Sequence, residues 1–185
     1  ELISICENEN ISAAGIDSNL LRRFNKDYEL DHGTIVPIHF INKYYKDYKL
    51  VHITYSILDD IELYKFGIAI QKTAKNLNKN IVIIASGDLS HKLTEDGPYN
   101  YSPQGPKFDR ELIENLKDGN VVNIFNMDKC MVEEAGECGL RSLYILLGSM
   151  EGNSMSGELL SYEGPFGVGY GVMKFKKKDE VVSNL

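Results

Sequence analysis

Three short segments of the sequence combine ionisable side chains with glycine. They are DHG at residues 31–33, SGDLSH ending at His91, and GECG with Glu137 and Cys138. Histidine titrates near neutral pH and suits proton transfer, and two histidines with one carboxylate are the ligand types of the facial triad that binds iron(II). His32, His91 and Glu137 are therefore candidate site residues if the fold brings them together.

The segment that ends at His91 gives the clearest functional signal. The apolar run NIVIIASGD, residues 80–88, predicts a buried strand that stops at Gly87. Asp88, Ser90 and His91 then emerge beyond the carboxyl end of a strand, where α/β sheets bind ligands. A loop histidine that bonds a nearby carbonyl is the alternative, but the position between a strand and a long loop favours a functional role.

The other two segments are weaker signals when taken alone. Gly33 lets the backbone approach a ligand while His32 projects from a helix entrance, although an ordinary capping turn fits equally well. Glu137 and Cys138 precede an apolar helix, where the helix dipole stabilises a carboxylate that can also bind a metal. A plain N-terminal acid is the simpler interpretation of Glu137, and a small buried hydrophobe that of Cys138.

The elements that must position these residues alternate between strand-like and helix-like patterns. The run KLVHITYSIL, residues 49–58, is rich in β-branched and aromatic residues and predicts a second central strand, on which His52 is interpreted as structural. Residues 59–80 between the two runs have helical spacing. The pattern predicts a right-handed β-α-β unit in an α/β domain, with a central sheet flanked by helices.

Two further helices are predicted on either side of this unit. TIVPIHFINKYY begins with Thr34 as its cap, because Pro37 then falls in the first turn, and His39 inside it is interpreted as structural. Downstream, a helix is expected to begin with Pro106 and to end with Gly119.

The rest of the chain predicts a loop and a hairpin. Residues 94–105 form an irregular loop long enough to cover a site. Residues 158–175 predict two antiparallel strands joined at a Gly164–Pro165 corner, and residues 176–185 a solvated tail or linker.

Composition narrows the functional classes. The 185 residues carry a net charge of -7, so no basic field is present to bind nucleic acid or anionic lipid. No apolar run approaches the roughly 20 residues that span a bilayer, and a cytoplasmic location is expected. The three cysteines show no C-x-x-C spacing, which argues against a disulfide framework. One domain over residues 1–175 is the default.

The beginning of the chain predicts truncation. A strand-like ELISI starts at residue 1 without an initiator methionine or a preceding cap, so the sequence is expected to be cut from a longer protein.

Four ordered segments carry a family resemblance. ELDHGTIVPIHFI, IIASGDLSHKL, GECGLRSL and SYEGPFGVGYGV, spread over residues 25–175, resemble the catalytic-subunit (LigB-like) family of class III extradiol ring-opening dioxygenases. More closely, they are similar to the dioxygenase-like half of AmmeMemoRadiSam system protein A, which is related to Memo. The resemblance implies an α/β fold and a non-haem iron(II) site of two histidines and one glutamate, where a catechol and dioxygen bind together.

The resemblance also implies individual roles. Glu137 matches the metal-binding glutamate, and Cys138 is a second candidate because Memo proteins place a cysteine in the metal-ligand position of this motif. His32 matches a substrate-contacting histidine and His91 the acid–base histidine that helps to deprotonate the catechol. Asp31, Asp88 and Ser90 are expected to bind substrate.

The two metal-binding histidines of the family lie upstream of the DHG motif and have no counterpart in this sequence. The chain is thus expected to be the C-terminal part of such a domain, to bind iron(II) weakly or not at all, and to be inactive alone.

Three functions follow from these observations. The first is an oxidoreductase of the dioxygenase type that acts on a catechol-like or other small cyclic substrate. The second is a Memo-like metal, redox or peptide-binding module that works beside a radical-SAM partner. The third is a scaffold for the AMMECR-type domain that follows in relatives.

Overall fold

The computed structural model describes residues 1–177, which form a mixed α/β structure of eight helices and one two-stranded antiparallel sheet. No helix in this part of the chain combines the length and the apolar character needed to cross a membrane. The elements are α1 (Leu2–Asn8), α2 (Ser18–Arg23), α3 (His32–Ile41), α4 (Asp60–Asn76), α5 (Gln104–Asp118), α6 (Val121–Phe125), α7 (Lys129–Ala135), α8 (Leu140–Ser149), β1 (Met155–Glu163) and β2 (Tyr170–Lys177).

Helices α4 and α8 form a closely packed pair in the core. The predicted helix between the two apolar runs is confirmed as α4, whose buried residues include Leu63 and Ile70. At Gly67 and Gly148 the two backbones lie in direct contact, because a Cβ at either position would overlap a carbonyl oxygen of the opposite helix. This contact fixes α8 and the residues that precede it.

Helix α5 and the hairpin complete the core. Phe108 and Leu112 of α5 are fully buried, and Gly119 ends the helix with a φ of 72°, as its position in the sequence predicts. The predicted hairpin is confirmed as β1 and β2, which pair antiparallel with a register shift between Leu159 and Ser161. Residues 176–177 belong to β2 rather than to the predicted tail, and residues 178–185 lie outside the described residues.

The predicted central sheet is not formed by the described residues. Residues 49–58 and 80–88 contain no strand, so α4 is the only formed part of the predicted β-α-β unit. Residues 80–87 make no backbone–backbone hydrogen bond with any other described residue. The apolar pattern indicated strands, but a strand also requires a neighbouring backbone to pair with.

Two elements near the start of the chain also differ from the predictions. The strand-like start of the chain is helix α1, because Leu2 and Ile5 recur at helical spacing and pack with buried Cys6. Helix α3 begins at His32 and its cap is Asp31, three residues before the predicted cap Thr34, since the Asp31 side chain accepts the Thr34 backbone N–H at 2.9 Å. Pro37 therefore lies in its second turn.

Helix α5 begins at Gln104, two residues before the predicted Pro106. Pro106 is still in the first turn, where its missing N–H leaves no hydrogen bond unmade. The irregular loop predicted for residues 94–105 accordingly ends at residue 103.

Candidate functional site

The backbone around His91 is held from two sides. The Leu89 N–H donates to the Gly169 carbonyl at 2.9 Å, and the Gly169 N–H donates to the Ser90 carbonyl at 2.7 Å. The His91 N–H donates to the carbonyl of Ala135, the last residue of α7, at 3.1 Å. The hairpin and α7 therefore fix the segment that presents His91.

The His91 imidazole is largely buried, and its Nε2 atom makes no hydrogen bond within the part of the chain that the structure describes. Its side chain is 18% exposed, and Nε2 is buried without a hydrogen-bond partner among the described residues. Asp88 Oδ2 lies 3.5 Å from this nitrogen. The imidazole also stacks on the ring of Tyr99, with centroids 5.3 Å apart and an angle of 15° between the planes. An unpartnered nitrogen of this kind can bind a proton, a ligand atom or a metal.

Glu137 lies in the turn between α7 and α8. Gly136 has a φ of 63°, which lets the chain reverse, and Glu137 Oε2 then accepts the Leu140 N–H at 2.6 Å. Burial raises the pKa of Glu137, while hydrogen bonds from Leu140 and Gly139 and the charges of Arg141 and His91 act in the opposite direction. In the described part of the chain, the ligand-type atoms that cluster with His91 belong to Asp88 and Cys138, and Glu137 is outside that cluster.

Cys138 contacts the segment that carries His91. Its Sγ accepts the Asp88 backbone N–H at 3.2 Å, and its own N–H donates to the Asp88 carbonyl at 3.3 Å. One ligand atom from each of Asp88, His91 and Cys138 lies within 4.8 Å of the others. Burial raises the pKa of the Cys138 thiol. The three side chains form a group with the donor types of a transition-metal site.

The close approach of these two segments depends on Gly87. A Cβ at Gly87 would lie 2.5 Å from the Cα of Gly139. Glycine is thus required for contact between the SGDLSH and GECG segments, which gives a structural reason for the glycine in each motif.

The DHG segment lies beside this group rather than within it. The position of a Cβ at Gly33 is 3.8 Å from Ser86 Oγ. The Tyr55 hydroxyl donates to the Cys138 carbonyl at 3.1 Å, and Asp31 is among the charges that add to the effect of burial in raising the pKa of Tyr55. His32 is exposed and makes no hydrogen bond or ion pair with the other candidate residues in the part of the chain described.

Ser90 lies in the interior and holds the backbone on both sides of it. It is fully buried, its hydroxyl donates to the Ala135 carbonyl at 2.9 Å, and the same oxygen accepts the Lys92 N–H at 3.0 Å. These hydrogen bonds hold the His91 segment, and the expected substrate contact of Ser90 stays a prediction.

Sequence reasoning missed three residues of this region. Tyr55 and Tyr99 contact the candidate site residues directly, and Asp109 accepts the Ser90 N–H at 2.7 Å. A signal for Asp109 was present, because it falls on the apolar stripe of α5 with Leu112 and Leu116, where a carboxylate is unexpected.

The chain as a whole matches a known protein family. The model of the family described as catalytic LigB subunit of aromatic ring-opening dioxygenase matches residues 2–173, so the chain is a member of that family. The resemblance predicted from the four motifs is confirmed at this level.

Two curated proteins are similar in sequence to this chain. The Clostridium acetobutylicum protein CA_C1420 is 54% identical over 185 residues, which are 100% of this chain and 40% of that protein. The 3,4-dihydroxyphenylacetate 2,3-dioxygenase of Escherichia coli is 26% identical over 149 residues, which are 72% of this chain and 51% of that enzyme. The chain thus spans about half or less of the length of these curated relatives, and its similarity to a dioxygenase is distant.

Proposed function

We propose that the chain is part of an iron(II)-dependent oxidoreductase of the extradiol type, which uses dioxygen to open the ring of a catechol-like or other small cyclic substrate. The observation that carries this proposal is the buried, unpartnered Nε2 of His91 beside Asp88. Membership of the LigB family and distant similarity to a ring-opening dioxygenase support the same reaction class.

In this proposal His91 moves the proton. Its Nε2 accepts a proton from a substrate hydroxyl, and the Asp88 carboxylate 3.5 Å away stabilises the imidazolium that forms. Tyr99 stacks on the imidazole and keeps its plane in place. His32 and Asp31, at the start of α3, would contact the substrate, as the family resemblance implies.

Glu137 is the residue that would hold iron(II). A carboxylate is a suitable ligand for this ion, and the Leu140 N–H already orients one of its oxygens. Iron supplies a point at which substrate and dioxygen are brought together. Because a facial triad takes three protein ligands and the motif offers one, this chain alone is expected to bind iron(II) weakly.

Oxygen consumption tests the proposal. The natural polypeptide that contains this sequence, loaded with iron(II) without air, should consume oxygen when catechols are added. His91→Ala should lower the rate about a hundredfold or more, because general acid–base catalysis contributes at least that much. His39→Ala, a change at an exposed histidine of α3, is the matched control and should keep the rate. No uptake across a catechol panel would refute the proposal.

A second candidate function is favoured by the group of Asp88, His91 and Cys138. Its one carboxylate, one imidazole and one thiol suit a Memo-like metal or redox module, in which Cys138 rather than Glu137 holds the ion. Such a module would fit the AmmeMemoRadiSam relationship, with an AMMECR-type domain and a radical-SAM protein as partners.

Cobalt(II) absorption separates the two candidates. A thiolate-to-cobalt charge-transfer band that disappears in Cys138→Ser and persists in Glu137→Gln and in Cys130→Ser would favour the second function. Cys130 is an exposed cysteine and serves as the matched control. A cobalt spectrum that depends on Glu137 and is unaffected by Cys138→Ser would favour the dioxygenase.

We also propose that residues 49–58 and 80–88, which form no strand in this structure, would pair as strands of a LigB-type sheet in the natural polypeptide that contains this sequence, within one domain over residues 1–175. Val82 is 89% exposed and Ile57 is 93% exposed, and residues 80–87 make no backbone–backbone hydrogen bond with other described residues. These open apolar side chains and pairing groups support the assignment.

A further inference from the structure

Asp109 is a buried carboxylate that the proposed reaction does not use. It belongs to α5 and is 1% exposed. Its Oδ1 accepts the Ser90 backbone N–H at 2.7 Å, and its Oδ2 accepts the Tyr162 hydroxyl at 2.6 Å. Removing a carboxylate from water is costly unless donors replace the lost hydration, and here each oxygen has a specific donor.

The partners of Asp109 come from different elements. Tyr162 belongs to β1, and Ser90 directly precedes His91. Gly169 packs so closely on Asp109 Oδ2 that a Cβ there would overlap it, and the Gly169 backbone also bonds to Ser90. Asp109 therefore joins α5 and the hairpin to the segment that presents His91.

This junction bears on the orientation of His91. Consecutive backbone amides are held, that of Ser90 by Asp109 and that of His91 by the Ala135 carbonyl. The imidazole then lies with Nε2 3.5 Å from Asp88. Burial raises the pKa of Asp109, and the hydrogen bonds from Tyr162 and Ser90 act in the opposite direction.

We propose that Asp109 is a positioning residue for His91. Through the Ser90 amide and the Tyr162 hydroxyl, its carboxylate sets the orientation of the imidazole that exchanges a proton with the substrate. The catalytic consequence rests on the proposed function, whereas the positioning itself can be measured without turnover.

Histidine-selective ¹⁵N NMR measures the positioning in the natural polypeptide, with the His91 signals identified by their loss in His91→Asn. Asp109→Ala should shift both ring-nitrogen signals of His91. Asp109→Asn should largely restore them, since the amide oxygen accepts from Ser90 and the amide NH₂ donates to Tyr162. Leu112→Ala empties a fully buried site one turn along the same helix and should leave the His91 signals in place.

The proposal is overturned if Asp109→Ala leaves the His91 signals unchanged, or if Leu112→Ala shifts them equally, since the effect would then be a general loosening of the core.

In the oxygen assay, Asp109→Ala should lower kcat about a hundredfold with little change in KM, because small misplacements of a catalytic group have effects of this size. If the unmodified protein consumes no oxygen, the proposed function fails, while the NMR result still decides the role of Asp109.

Discussion

At the scale of single residues, Asp109 makes the stability of the protein depend on pH with a definite sign. Burial raises the pKa of its carboxyl group above the unfolded value, so the folded state binds the proton more tightly. Protonated Asp109 therefore stabilises the fold. This contribution is complete below the ordinary carboxyl pKa of about 3.9, and it is lost as the pH rises through the raised pKa of Asp109.

Asp109→Asn, which resembles the protonated carboxyl group, should therefore gain stability relative to the unmodified protein between pH 4 and pH 7. The gain should be about 1.4 kcal/mol for each pH unit by which the pKa is raised. Urea unfolding at several pH values measures it. Glu114→Gln changes an exposed carboxylate of the same helix and should show no such trend. A difference that moves in favour of aspartate as the pH rises would contradict the prediction.

The residue types of the candidate site could be predicted from the sequence, but their contacts could not. His91, Asp88 and Cys138 were selected because they follow an apolar run or precede a helix, and the fold brings them together. Ser90 shares the motif yet is buried, because whether a loop side chain faces a pocket or the core depends on partners far along the chain, here Ala135 and Asp109.

At the scale of elements, the contact between α4 and α8 depends on glycine. Gly148→Ala would place a methyl group on the Tyr64 carbonyl oxygen, which is backbone and cannot rotate away. The unfolding free energy should fall by about 3 kcal/mol or more, since overpacking costs at the upper end of its range when the neighbour is rigid. Because α8 begins three residues after Glu137, the substitution should also make the position of the Glu137 side chain less fixed.

Urea unfolding and the intensity of the Cobalt(II) spectrum would measure the two effects. Lys65→Ala, at an exposed position of α4, is the control and should change the unfolding free energy by less than about 0.5 kcal/mol. An alanine at Gly148 that is tolerated without loss of stability would mean that the two helices can separate at little cost.

Elements whose signals are local were predicted well. The α4 periodicity, Gly119 after α5 and the glycine-rich corner of the hairpin each act through neighbouring residues. The start of the chain was assigned to a strand because a short apolar run fits a helix equally well. The strand predictions for residues 49–58 and 80–88 were wrong for another reason. A strand forms only when a neighbouring backbone pairs with it, and a local sequence pattern does not contain that partner.

At the scale of the whole molecule, an open apolar face distinguishes the described chain. A groove of about 860 Å³ runs along residues 81–85 between α4, α8 and β2, and Val82 beside it is 89% exposed. The backbone of residues 80–87 is unpaired as well. An apolar segment with unpaired backbone groups can template pairing with another chain, so this face should drive self-association of the chain in isolation.

Val82→Lys should therefore reduce association, because a charged side chain on an unpaired segment opposes edge-to-edge pairing. Val122→Lys, at a 68% exposed position of helix α6, is the matched control. Both substitutions move the net charge of -7 one unit towards zero, which by itself favours association. A decrease confined to Val82→Lys can therefore arise only from the unpaired segment.

Light scattering against protein concentration measures the association, and the free energy of unfolding in urea should change by less than about 0.5 kcal/mol in both variants. Equal behaviour of the two variants would show that the unpaired segment does not direct association.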